Sequence, residues 1–117
     1  MRKKILIFGS SKNLGKFLSK KFSEKYSVIQ LSSTLKSNNR NIYNVDITNE
    51  VSLNSTLNMI KKKISNINAI IFTVGNSKMG KGNLENFKQS FESNFFSFVN
   101  LINSYSKIFS GKKVKII

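Results

Sequence analysis

The stretch "KILIFGSSKNLGKFLSKKF", residues 4–22, decides the fold. Ile5, Leu6, Ile7 and Phe8 form a short continuous apolar run, as in strands buried on both faces of a parallel sheet. Within and beyond the polar turn from Gly9 to Gly15, Leu14, Phe17, Leu18 and Phe22 recur at helical spacing with lysines between them, which predicts a helix over Leu14 to Lys25. A helix entered directly from a strand points its free amides and positive dipole end at whatever lies above the turn. Gly9, Ser10, Ser11, Asn13 and Gly15 are small enough to let a phosphate approach the backbone. Asn13 is also of a type that tolerates positive φ. The plainer alternative is an ordinary strand-to-helix turn that carries two glycines.

The rest of the chain keeps the same rhythm. Ser27 to Leu31 reads as a second strand, "SSTLKSNNRN" (32–41) as a polar connection too short for much helix, and Ile42 to Val45 as a third strand ending at Asp46. Thr48-Asn49-Glu50 begins a helix carrying Val51, Leu53, Leu57 and Ile60, with lysines at its end as the macrodipole prefers. Ala69 to Val74 is a fourth strand, and the glycines of "GNSKMGKGN" (75–83) mark a loop. Phe87, Phe91, Phe95, Phe98, Ile102, Tyr105 and Phe109 recur at steps of three and four, which predicts one long helix with these residues on its core face. Gly111 suits a C-terminal cap, and Lys113 to Ile117 begins a fifth strand. Alternating strands and helices with right-handed crossovers give a doubly wound α/β fold, a parallel sheet in order 3-2-1-4-5. Residues 1–117 are expected to be a single domain, incomplete at the C-terminus and cut off within its fifth strand, as the N-terminal part of a longer protein.

Composition narrows the chemistry. With no cysteine and no histidine in 117 residues, disulfides, thiolate sites and zinc or histidine-dependent mechanisms are excluded for this chain; no metal site is expected. No apolar run approaches the roughly 18 residues of a membrane span, so the cytoplasm is the expected compartment and a membrane partner is not. The net charge of +15 favours anionic partners. It is nearly all lysine, spread along a sequence rich in Lys, Asn, Ile, Ser and Phe, with only Arg2 and Arg40 to make guanidinium forks. Compositional bias therefore outweighs a dedicated nucleic-acid surface, and a nucleic-acid partner is not expected.

Residues 8–15, "FGSSKNLG", resemble the T-G-x-x-x-G-x-G turn of the short-chain dehydrogenase/reductase family, with Phe8 for threonine and Asn13 for the middle glycine. Three further landmarks fall in order. "NVDIT" (44–48) is similar to the family's aspartate and aliphatic residue after the third strand; "FTVG" (72–75) sits where the family has N-N-A-G. "ESNFFSFVNL" (92–101) looks like its long helix with an internal asparagine at Asn94. The resemblance covers the whole chain; an extended-family relative such as a nucleotide-sugar epimerase, with G-x-x-G-x-x-G, has the same distance between outer glycines, but the long phenylalanine-striped helix followed by "SGKKVKII" looks more like the compact, classical-type members. It implies a Rossmann-type domain that binds NAD(P), with Gly9, Ser11, Lys12, Asn13, Leu14 and Gly15 at the pyrophosphate, Asp46 and Ile47 at the adenine, and Val74 and Gly75 after the fourth strand. It further implies that Asn94 belongs to the catalytic group by holding a water. The second strand ends in Leu31-Ser32-Ser33-Thr34, with no carboxylate to repel a 2′-phosphate, and Lys12 lies in the turn, so NADP(H) is preferred and NAD(H) possible. Family members of this kind often pair through the long helix, so a homo-oligomer is implied for the full-length protein, with Phe96 and Val99 at the contact.

The family's Tyr-x-x-x-Lys pair, in which the lysine lowers the tyrosine pKa for proton exchange with substrate, does not occur in this sequence. Tyr26, Tyr43 and Tyr105 are followed four residues on by Gln30, Ile47 and Phe109. The leading expectation is the cofactor-binding portion of an NADP(H)-dependent oxidoreductase acting on a small alcohol or carbonyl, inactive as this chain alone. A non-catalytic dinucleotide-sensing module on the same fold is the alternative, and a basic nucleic-acid-binding domain the weaker third.

Overall fold

The computed structural model describes residues 2–9, 13–38, 40–64, 66–73, 84–109 and 114–117, with Asn13, 84–87 and 89–94 described as backbone. Along these residues run β1 (Lys4–Phe8), α1 (Asn13–Phe22), β2 (Ser27–Ser32), β3 (Ile42–Asn44), α2 (Glu50–Lys63), β4 (Ala69–Phe72), α3 (Leu84–Ile108) and β5 (Lys115–Ile116). The strands form one sheet, all pairs parallel, in the order β3-β2-β1-β4-β5. This is the doubly wound, Rossmann-type order expected from the sequence. Among the described residues no helix is long and apolar enough to cross a membrane.

The apolar runs alternate between the two faces of the sheet, as the two-residue period of a strand requires. Leu6 and Phe8 of β1, Ile29 and Leu31 of β2, Tyr43 and Ile70 face the larger core, which Leu53, Leu57 and Ile60 of α2 and Leu101, Tyr105 and Ile108 of α3 complete. Ile5, Ile7, Val28 and Ile71 face the other side, where Leu18 and Phe22 of α1 and Tyr26 pack. The β2–β3 connection is held without a helix among its described residues. Oδ1 of Asn38 accepts the amides of Arg40, Asn41 and Ile42 at 3.0, 3.0 and 2.9 Å.

Helix termini follow from local chemistry. Asn49 caps α2 by accepting the Ser52 amide at 3.1 Å, Glu50 stands in the first turn, and Lys61, Lys62 and Lys63 fill the last. α1 stops at Phe22 rather than Lys25, and residues 23–25 form a turn that the Tyr26 amide closes onto the Phe22 carbonyl at 2.8 Å.

The faces of the helices depart from the apolar stripes. In α1 the buried positions are Gly15 and Ser19, with Leu18 and Phe22 half-buried, while Leu14 and Phe17 are exposed. In α3 the buried positions among the described residues are Ser97, Leu101, Ser104, Tyr105 and Ile108; Phe95 and Ile102, expected on the core face, are exposed. Val51 in α2 is exposed as well. The physical reason is close approach. A helix lying tightly on a sheet fits small side chains at its nearest points, and the large ones move to its flanks. Ser19 meets the cost of burial by donating its hydroxyl to the Gly15 carbonyl at 2.8 Å. Phe87 and Phe91, expected on the same stripe, have side chains outside the described residues.

Candidate functional site

Because every strand is parallel, the carboxyl ends of β1, β2, β3 and β4 share one edge. Phe8 pairs with Leu31 on one side and Phe72 on the other, and Ser32 pairs with Asn44. The chain leaves β1 towards β2 and β3, then returns to β4 on the opposite side. The crevice above β1 is therefore the topological switch point where open α/β sheets take their ligands.

Gly9, which leaves β1 towards α1, sits at that crevice and is held from both sides. Gly9 has φ of 84°, a left-handed conformation that glycine adopts without steric cost. Its amide donates to the Leu31 carbonyl at 2.9 Å, tying the turn to β2. Towards β4, the Thr73 amide donates to the Phe8 carbonyl at 3.0 Å, and the Thr73 hydroxyl lies 2.7 Å from that oxygen and 3.2 Å from the Gly9 carbonyl oxygen. Gly15, one turn into the cradle, is buried against the same atoms. A Cβ placed there would fall on the Gly9 carbonyl and 2.6 Å from Oγ1 of Thr73. Both glycines are therefore demanded by geometry, one for conformation and one for space.

The α1 helix begins at Asn13, so its free amides open towards the turn. Leu14 is exposed beside it. The expected contributions of Ser11 and Lys12 lie outside the described residues, as does the Asn13 side chain.

At the end of β2, Ser32 is buried and its hydroxyl accepts the Thr34 amide at 3.1 Å and lies 3.1 Å from the Thr34 hydroxyl. Ser33 is exposed at the rim. Asn44, the last residue of β3, donates its side-chain amide to the Ser33 and Leu35 carbonyls at 3.1 and 2.8 Å, which holds the rim against the sheet. No carboxylate stands on residues 33–41, and exposed Lys36 and Arg40 are on this segment.

Asp46, just beyond β3, is exposed at the same edge. One of its carboxylate oxygens accepts the Thr48 amide at 3.0 Å and the Thr48 hydroxyl at 2.6 Å. Its neighbour Ile47 is 7% exposed and part of the larger core, so its side chain packs and only its backbone is left for a ligand. Val74 and Gly75 fall outside the described residues. Asn94 lies on α3, on the larger core's side of the sheet, with its side chain outside the described residues.

Gly9, Gly15, Leu14, Ser33 and Asp46 thus gather at one edge of the sheet. Sequence reading missed Thr73 and Asn44, whose side chains hold the turn and the rim. The signal for Thr73 was its place immediately after the fourth strand, in "FTVG"; for Asn44 there was none beyond its place before Asp46.

Comparison with known proteins agrees with this arrangement. The family model described as short chain dehydrogenase matches residues 3–117. Among solved structures, an ElxO variant with NADPH bound is 23% identical with a TM-score of 0.73, covering 92% of this chain and 50% of that one. The ligand-free aldohexose dehydrogenase of Thermoplasma acidophilum is 20% identical with a TM-score of 0.74, covering 92% of this chain and 45% of that one. An oxidoreductase of the short chain dehydrogenase/reductase type from Brucella ovis is 20% identical with a TM-score of 0.70, covering 92% and 56%. The chain thus spans about half the length of these structures. No curated protein matches it.

Proposed function

This chain belongs to the short-chain dehydrogenase family, and we propose that residues 1–117 form the dinucleotide-binding domain of an NADP(H)-dependent oxidoreductase acting on a small alcohol or carbonyl. The observation that carries the proposal is the β1–α1 cradle, where Gly9 takes a positive φ and a Cβ at Gly15 would fill the space beneath the turn. An anion pressed onto this backbone is met by the N-terminal amides of α1. Gly9, Ser11, Lys12, Asn13, Leu14 and Gly15 surround the pyrophosphate in this reading. Asp46 receives the adenine with the backbone of Ile47, and Val74 and Gly75 flank the ligand beyond β4. Asn94 holds a water for proton exchange. When bound, the dinucleotide supplies or takes the hydride.

The preference for the phosphorylated cofactor rests on the rim. A carboxylate at the end of β2 would bond the ribose hydroxyls and repel a 2′-phosphate. Here Ser33 is exposed at that position, Lys36 and Arg40 are on the same loop, and Lys12 belongs to the turn. The ElxO structures with NADPH and NADP bound support the same choice.

Fluorescence titration with NADPH and NADH tests the proposal. Saturable binding is expected, tighter for NADPH, and Gly15→Val should abolish it while circular dichroism checks that the sheet persists. Replacing Ser33 by Glu should reverse the preference, with NADPH weakened roughly tenfold or more by charge repulsion. A folded protein with no affinity for either dinucleotide would sink the proposal. Loss of NADPH absorbance with small carbonyl compounds separates turnover from binding alone.

A further inference from the structure

We propose that Thr73 is a positioning residue for the dinucleotide, its hydroxyl clamping the Gly9 peptide in the orientation that receives the pyrophosphate. The inference rests on the reading of the β1–α1 turn as the pyrophosphate site.

Three groups meet at one point: the Gly9 carbonyl, the Thr73 hydroxyl 3.2 Å from it, and Gly15, whose Cβ would lie 2.6 Å from that hydroxyl. The Phe8 carbonyl, 2.7 Å from the hydroxyl, already accepts the Thr73 amide at 3.0 Å. A hydroxyl has one proton, so Thr73 shares it between two carbonyls on consecutive residues of β1 and the turn. Among the described residues the Gly9 carbonyl has no partner but the Thr73 hydroxyl, whereas the Phe8 carbonyl also accepts the Thr73 amide. The Gly9 amide is spent on Leu31, at 2.9 Å.

Both polar groups of Gly9 are therefore directed into the scaffold. This matters because a carbonyl oxygen turned towards the crevice would repel a phosphate. Glycine gives little steric resistance to such a rotation, so the restraint must come from a donor on a neighbouring element. Thr73 is that donor. It stands immediately after β4, the strand beside β1, so the clamp also couples Gly9 to the segment that leads beyond β4.

The test uses Thr73→Val, which keeps the shape and removes the donor, and Thr73→Ser, which keeps the donor. Affinity for NADPH is measured alongside affinity for adenosine 2′-monophosphate, which has no pyrophosphate. The valine variant should lose roughly fivefold to tenfold in NADPH affinity, as for one net hydrogen bond, with its affinity for adenosine 2′-monophosphate unchanged. The serine variant should stay within about twofold of wild type on both. Equal loss on both ligands, or none on either, overturns the clamp.

Amide hydrogen exchange without ligand keeps the two proposals apart. Exchange at Gly9 should quicken in the valine variant while Leu6, in the middle of β1, is unchanged. If wild type binds no dinucleotide, the reading of the site fails. If it binds but Gly9 exchange and NADPH affinity are untouched by the valine, the clamp alone fails.

Discussion

The two faces of the sheet are built differently, and the difference separates stability from binding. On one face Leu6, Phe8, Ile29, Leu31 and Ile70 are closed over by α2 and α3, and Leu53, Leu57, Ile60 and Leu101 are fully buried between them. On the other face, among the described residues, Ile5, Ile7, Val28 and Ile71 are covered by half-buried Leu18 and Phe22 of α1 and by Tyr26. The β2–β3 segment adds no helix there among its described residues, and Gln30, facing that side from the middle of β2, is a polar residue between the apolar Ile29 and Leu31. The thinner face belongs to the helix whose N-terminus opens on the cradle. A helix constrained to present Gly15 and Ser19 to the sheet gives up large buried side chains near the turn, so the binding geometry limits packing there.

The largest expected effect compares the faces directly. Leu57→Ala empties a fully buried site and should destabilise by about 2–5 kcal/mol. Leu18→Ala on α1 should cost clearly less, roughly 1–2 kcal/mol, because its side chain is only half removed from water. Urea unfolding of both variants gives the comparison. Equal losses would mean that α1 is buried as deeply in solution as α2, and the asymmetry would fall.

Much of this was legible in the sequence, for reasons that differ by element. The strand order followed from the alternation of short apolar runs with helices, because a parallel sheet leaves few ways to connect them. The cradle was legible because Gly9 and Gly15 are fixed by sterics that no other residue type satisfies. The helix faces were less so. Periodicity selects the largest apolar residues, Phe17 or Phe95, whereas the buried positions among the described residues include the small Gly15, Ser19, Ser97 and Ser104. A stripe of small residues beside a stripe of phenylalanines has the same period, displaced by a fraction of a turn. Sequence alone does not say which of two such stripes is closest to the sheet. Thr73 and Asn44 were missed for another reason: a side chain that holds a distant carbonyl leaves no local pattern.

A smaller effect, of opposite sign, comes from the closed face. Tyr105 is 4% exposed and stacks on Phe109 at 4.8 Å between ring centroids, and its hydroxyl has no hydrogen-bond partner among the described residues. Removing an unpaired buried hydroxyl while keeping the ring should leave stability unchanged or raise it by up to about 1 kcal/mol in Tyr105→Phe. Burial also pushes the Tyr105 pKa up from its ordinary value. Below pH ~10 the ring is neutral whether folded or unfolded, and the shift has no effect. Above that the unfolded tyrosine ionises first, so wild type loses stability as pH rises until the folded pKa is passed, by at most about 1.4 kcal/mol per pH unit. Because lysines titrate in the same range, the informative quantity is the difference between wild type and Tyr105→Phe, which should widen in the variant's favour above pH ~10. A constant difference would place that hydroxyl in contact with water, and the closed face would be less closed than its packing implies.

The smallest effect is expected on the outer side of α1. Phe17 is 60% exposed, and Phe17→Ser should change the unfolding free energy measured in urea by no more than about 0.5 kcal/mol in either direction. The two residues differ little in helix propensity, so any larger loss must come from contacts that Phe17 makes. A cost above about 1 kcal/mol would show that the outer side of α1 is covered in solution, and the thin face would then owe part of its stability to whatever covers it. A null result together with the Leu57 and Leu18 pair would leave α1 held chiefly by Leu18, Phe22 and the small residues that touch the sheet. In that case the helix that opens on the cradle is also the one most easily displaced, and if NADPH engages its N-terminus as proposed, the ligand should raise the unfolding midpoint by linkage more than any single substitution on its outer side.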